Sequence, residues 1–148
     1  MKVLFDTSAL VTAVIDQLPN HATALACYRR FASPRRAGSK AKAVCSSHTL
    51  AECYATLTAL PLPRRIQPGE AARLIEENFL EHLDAVALSM ADYRAALARV
   101  ASLGLRSGAI YDALHVRCAE RAGCHRIITY NTADFSRLVP SGIEVATP

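Results

Sequence analysis

Four carboxylates in this chain fall where a strand is expected to hand over to a helix. Asp6 directly follows the apolar run Val3-Leu4-Phe5, and Glu52 lies on the second turn of the helix expected after Ala43-Val44-Cys45. Asp112 is near the start of a helix expected over 109–122. Asp134 follows the strand expected over 126–129 after a Tyr-Asn-Thr-Ala link. Their neighbours are apolar: Phe5 before Asp6, Leu50 and Cys53 around Glu52, Ile110, Ala113 and Leu114 around Asp112, and Phe135 after Asp134. Carboxylates that converge in such surroundings repel one another and lose hydration, so they require a cation or shared protons. Oxygen ligands without a His or Cys pairing favour Mg2+ or Mn2+ over zinc. A bound divalent ion lowers the pKa of its water and neutralises charge on a phosphate, so the constellation predicts metal-assisted hydrolysis of a phosphodiester. Taken singly, an acid after a strand is more often a helix cap than a catalyst. Four of them at expected strand ends weigh the other way.

The elements that must position these acids follow from pattern. Val3-Leu4-Phe5, Ala43-Val44-Cys45, Ala85-Val86-Ala87-Leu88, Arg126-Ile127-Ile128-Thr129 and Ile143-Glu144-Val145 are short runs suited to strands buried on both faces. Between them lie helical patterns. One follows Asp6, with Thr7 or Ser8 as its cap. The others cover 21–33, the stretch after Ser46 or Ser47 up to Pro61 and Pro63, 69–82, the stretch from Ser89 to Gly104, and 109–122 closed by Gly123. Pro34 to Lys42 reads as a loop by its Pro, Gly and Ser. Alternating strands and helices, with helices to spare, indicate an α/β fold whose parallel sheet is covered on both faces. In such folds a ligand sits beyond the carboxyl ends of the strands, where the four acids fall.

Composition agrees. A chain of 148 residues suits one domain, spanning 1–148, and 51% apolar against 20% charged residues excludes disorder and collagen-like structure. Five Cys without a Cys-x-x-Cys pair argue against a disulfide framework and for a reducing compartment. Asp6 interrupts the N-terminus too early for a signal peptide, and no apolar run approaches the ~20 residues that span a bilayer. The expectation is a soluble, cytoplasmic protein with no membrane partner. The net charge of +4 is unevenly spread. Residues 29–65 hold eight cations and one acid, a local +7, whereas 66–92 hold one cation and six acids, a local −5. Such a basic region suits a polyanion, although two solvated surfaces would show the same charges. Arg35, Arg36, Lys40, Lys42 and, from another loop, Arg106 are the candidate phosphate contacts. With no Trp and few Tyr and Phe, base stacking is not a visible theme.

Other chemistries fit less well. His115-x2-Cys118 and Cys124-His125 lack zinc-finger spacing, so Cys118 is expected in the core and His115 one turn below Asp112. His48, one turn before Glu52, could hydrogen-bond it or serve as a cap or surface residue. Gly104 to Gly108 lacks the Lys of a phosphate-binding loop, and Ser8 lacks the Gly-x-Ser-x-Gly setting of a hydrolase nucleophile.

The motifs carry a resemblance. Phe5-Asp6-Thr7-Ser8-Ala9-Leu10 resembles the opening motif of PIN domains, and Leu50-Ala51-Glu52 is similar to the second acid of that family. Ile110-Tyr111-Asp112-Ala113-Leu114-His115 resembles the third, and Thr129-Tyr130-Asn131-Thr132-Ala133-Asp134-Phe135 the fourth. Their order, their spacing and a C-terminal strand before Pro148 are similar to VapC-type toxins, over nearly the whole chain. The resemblance implies an α/β/α sandwich and a Mg2+- or Mn2+-dependent endoribonuclease that a cognate antitoxin blocks. It further implies Asp6, Glu52, Asp112 and Asp134 as catalytic metal ligands, with Asp134 acting through a water. Thr7 or Ser8, and Asn131, would orient ligands or a phosphate. RNA is the implied substrate and a homodimer the implied assembly. Three alternatives stay open: a stand-alone RNA-processing nuclease, a non-catalytic PIN-like binding module, and a phosphatase with Asp6 as nucleophile. The last normally has a second Asp two residues on, where Ser8 stands here.

Overall fold

The computed structural model describes residues 1–34 and 42–148. Most of the expected 34–42 loop, with Arg35, Arg36 and Lys40, lies outside the described residues. The order of elements is β1 (Val3–Phe5), α1 (Thr7–Val14), α2 (His21–Phe31), β2 (Ala43–Ser46), α3 (Ser47–Ala59), α4 (Pro68–Ile75), a π-helical turn (Glu76–Leu80), β3 (Asp84–Val86), α5 (Met90–Ser102), α6 (Ala109–Ala122), β4 (Arg126–Ile128), α7 (Thr132–Ser136) and β5 (Glu144–Ala146). The strands form one parallel sheet in the order β3-β2-β1-β4-β5. None of the helices among the described residues is long and apolar enough to cross a membrane.

The strands are apolar throughout because both faces are covered. Successive side chains alternate across a strand. Val3 and Phe5 of β1, Ala43 and Cys45 of β2 and Ile128 of β4 enter one core, against α1, α2, α3 and α4. Leu4, Val44 and Ile127 enter the other, against α5 and α6 with Phe135 and Leu138. This is the expected α/β/α sandwich. On the first face Phe5 meets Tyr28 edge to face, 5.6 Å between ring centroids, which fixes α2 on the central strand.

The structure corrects several element boundaries. Asp6 itself caps α1, its carboxylate accepting the Ser8 N–H, so the cap is one residue earlier than Thr7. The expected 69–82 helix is α-helical only to Ile75 and then widens to a π turn, where the Tyr28 hydroxyl donates to the Asn78 carbonyl. Asp134 follows the Tyr-Asn-Thr-Ala link as expected, but Thr132 and Ala133 of that link already belong with it to α7, a single turn too short to show a period and pinned by buried Phe135. The last strand is shifted one residue, to Glu144–Ala146.

Candidate functional site at the carboxyl edge of the sheet

Chain order and a parallel sheet together bring the acids to one edge. β1 delivers Asp6 there, and β4 lies beside it with Phe5 opposite Ile128, so Thr129 comes out next to Asp6. One Asp6 oxygen, Oδ2, accepts from the Ser8 hydroxyl (2.8 Å), the Thr129 hydroxyl (2.8 Å) and the Ser8 N–H (3.3 Å). Both hydroxyls also accept a backbone N–H, Ser8 from Tyr130 (3.0 Å) and Thr129 from Asn131 (2.9 Å). Each hydroxyl proton is thereby directed at Asp6. The carboxylate is only 6% exposed, and its orientation is set while Oδ1 accepts no hydrogen bond among the described residues.

Glu52 comes from the second turn of α3, after β2. Its Oε1 lies 2.9 Å from His115 Nε2 and 3.0 Å from His48 Nε2, and the Thr7 hydroxyl donates to Oε2 (3.1 Å). Burial by itself would raise the Glu52 carboxyl, but the hydrogen bond and charge of His115, with His48 and Thr7, hold it below its ordinary value. His115 is 0% exposed. Its Nδ1 faces the Ser46 hydroxyl at 2.8 Å and that of Thr49 at 3.3 Å, and Nε2 also lies 3.9 Å from Asp6 Oδ1. Sequence reasoning placed His115 one turn from Asp112 but missed this role, as it missed Thr129, Ser46 and Thr49. A buried polar residue in an apolar helix stripe was the available signal for His115, because such a group must find partners.

Asp112 stands on the first turn of α6, whose N-terminus lies at this edge because α6 leads directly into the start of β4. No hydrogen-bond donor or cation contacts its carboxylate among the described residues. Burial, then the charges of Asp6, Asp134 and Glu52, push it up to about 6, with His115 opposing. The other three predicted acids are therefore all near enough to Asp112 to act on its charge. Asp134 is the most peripheral: it is half exposed and paired with Arg137. Asn131 contributes its backbone N–H to Thr129, while its side chain does not cap α7. Arg106, Gly108, Ala109, Asp112, Asp134 and Arg137 line a cleft of about 330 Å³. Lys42 precedes β2 and so lies at the opposite, amino edge of the sheet. Cys118 is buried in the second core.

The donor set suits a hard divalent cation. Among the described residues no three His, Cys, Asp or Glu side chains stand together as a closed metal cage. Mg2+ does not require one, since it keeps several waters and takes one or two carboxylates. Among the described residues Asp6 has one oxygen anchored and the other without a hydrogen bond, and Asp112 has no partner and three repelling neighbours, the properties such a pair needs.

Known proteins resemble this chain in sequence and in fold. The PIN domain family matches residues 3–139. A ribonuclease of Mycobacterium tuberculosis, VapC27, is 34% identical over 110 residues, which cover 74% of this chain and 70% of that protein. Among solved structures, M. tuberculosis VapC20, described as a sarcin–ricin loop cleaving toxin, superposes with a TM-score of 0.67 at 18% identity, covering 91% of this chain and 93% of that one. VapBC2 from Rickettsia felis, bound to a DNA fragment from its promoter, gives 0.66 at 18% identity with both chains fully covered. The acids at the strand ends, the parallel sheet and these matches agree: the chain belongs to the PIN domain family and is of the VapC type.

Proposed function

We propose that this chain is a Mg2+- or Mn2+-dependent endoribonuclease toxin that hydrolyses RNA phosphodiesters and is restrained by a cognate antitoxin. The observation that carries the reading is Asp112, a carboxylate without a partner among the described residues, pressed by the charges of three other acids and lining a cleft with Asp134, Arg106 and Arg137. Asp6 and Asp112 are the inner ligands in this proposal, with Glu52 and Asp134 completing the acidic set. A divalent ion bound there would lower the pKa of a water and neutralise charge on the phosphate. Ser8 and Thr129 hold Asp6 in one orientation, and His115, His48 and Thr7 do the same for Glu52. Arg106 and Arg137 offer guanidinium groups to a phosphate entering the cleft. The toxin role is supported by the VapC27 relative and by the VapBC2 complex among the structural matches. The proposal includes pairing with a second copy, which light scattering would detect.

The test is RNA cleavage with Mg2+ or Mn2+, with and without EDTA. Asp6→Asn and Asp112→Asn should each slow cleavage on the order of 10²-fold or more. Variants that cut as fast as the parent, or parent activity untouched by EDTA, would refute the assignment.

A further inference from the structure

Tyr111, beside Asp112 on the first turn of α6, is an aromatic residue the reaction described above does not use. It is 51% exposed, yet its ring is not free to swing. It stacks on the His48 imidazole with 5.2 Å between centroids and only 10° between planes, and His48 in turn is held by Glu52 at 3.0 Å. One face of the phenol ring is thus covered and anchored to a site carboxylate, and the exposure belongs to its other face and edge. Phe135 stacks on His115, which also contacts Glu52, but Phe135 is buried; of the exposed tyrosines Tyr54, Tyr93 and Tyr111, only Tyr111 stacks on a residue that contacts a site carboxylate among the described residues.

We propose that the open face of Tyr111, braced by His48, is the shelf on which a nucleobase of single-stranded RNA stacks next to the phosphate held in the cleft. This rests on the ribonuclease reading. A phosphate between Arg106, Arg137 and the carboxylates carries a nucleoside on each side, whose base is a flat apolar surface needing a partner of the same kind. Every base offers a π-face, and an exposed aromatic ring is the usual platform for it. An RNA nucleotide is favoured over a protein partner because Tyr111 directly precedes Asp112, which lines a cleft with Arg106 and Arg137, cations that suit a phosphate. Through the Tyr111–His48–Glu52 contacts, the shelf also fixes where the base sits relative to the acids. Tyr111 is therefore a substrate-positioning residue that sets which nucleotide is accepted there.

The experiment uses short single-stranded RNAs and the full chain in EDTA, so that binding is read without cleavage. One RNA carries 2-aminopurine, whose fluorescence falls on stacking, and a matched RNA carries an abasic site at the same position, the position being walked along the strand. At one position, the parent and Tyr111→Phe should quench the probe, whereas Tyr111→Ala should not and should bind about tenfold more weakly. The same substitution should leave affinity for the abasic RNA unchanged, a result that mere structural damage would not give. Because Tyr111 is exposed, Tyr111→Ala should keep the parent's melting temperature. Equal binding and equal quenching by parent and Tyr111→Ala at every position would overturn the shelf while leaving the nuclease reading intact, including where the variant weakened only a protein partner. No RNA binding by the parent would overturn both.

Discussion

Asp6 is held in one orientation by three donors arriving on one oxygen, two of them hydroxyls that each also accept a backbone N–H. Thr129→Val keeps the shape but removes the 2.8 Å donor and leaves the Asn131 N–H without its acceptor. Stability should drop by about 1–3 kcal/mol in urea unfolding, and cleavage on the order of 10-fold or more as Asp6 turns. Asp112 gives the pH dependence. Its carboxyl, at about 6 in the folded chain and 3.8 ordinarily, binds more protons folded than unfolded between those values. Metal-free stability therefore falls as pH rises through that window, since the deprotonated Asp112 faces its acidic neighbours. Asp112→Asn should remove this contribution, and Mn2+ should raise the parent's melting temperature more at pH 7 than at pH 4.5. Thermal melts of both proteins over that range check the sign. A slope shared equally by parent and variant would place the effect elsewhere.

At the scale of elements, α6 does two things, presenting Asp112 and His115 to the sheet edge and binding α5 along its far side. The second is done by the apolar core the two helices share, through Ala96 and Val100, and at its margin by charge. Asp92, in the capping box of α5, accepts from Ser89, from Arg117 Nε (2.9 Å) and from Arg121 (2.6 Å), while Glu120 joins Arg117 to Arg99. The Ser89 backbone N–H, together with the Ser89 hydroxyl, Arg117 and Arg121, holds the Asp92 carboxyl well below the usual range against the opposing effect of burial. A depressed carboxyl stabilises the fold above its ordinary pKa, and that stabilisation fades as pH falls through the folded value. Asp92→Asn should thus lower the melting temperature at neutral pH, with the gap to the parent narrowing in strong acid. If the gap stayed constant down to low pH, the charges would add nothing to the joint between α5 and α6. The strand ends were legible in the sequence because apolar runs and capping residues are local signals. α7 and the π turn were not, since one turn has no period and the π turn answers a tyrosine from another helix.

For the molecule as a whole, the +4 charge conceals a division. Outside the four site acids, nine acids face seventeen cations. For the proposed RNA substrate the first cations to test are those in the cleft, Arg106 and Arg137, rather than Lys42, which sits at the amino edge of the sheet. RNA affinity should fall steeply with salt, because phosphate contacts release counterions. Arg106→Gln should weaken binding at every sequence tested and lower the log–log salt slope by about 1. Titrations at several salt concentrations would show this, and an unchanged slope would remove Arg106 from the RNA path.

The sequence by itself determined the fold class, the order of the strands and the longer helices, and the positions of four acids beyond or beside strand ends, because each of these is written in neighbouring residues. It could not say which distant groups would meet. That Thr129 faces Asp6 across 123 residues depends on β4 lying beside β1 in register. That His115 reaches Glu52, and that His48 braces Tyr111, depends on how α6 packs against α3. Periodicity records which side of an element is buried but not what lies against it, so the partners that orient the carboxylates were decided only when the chain closed into three layers.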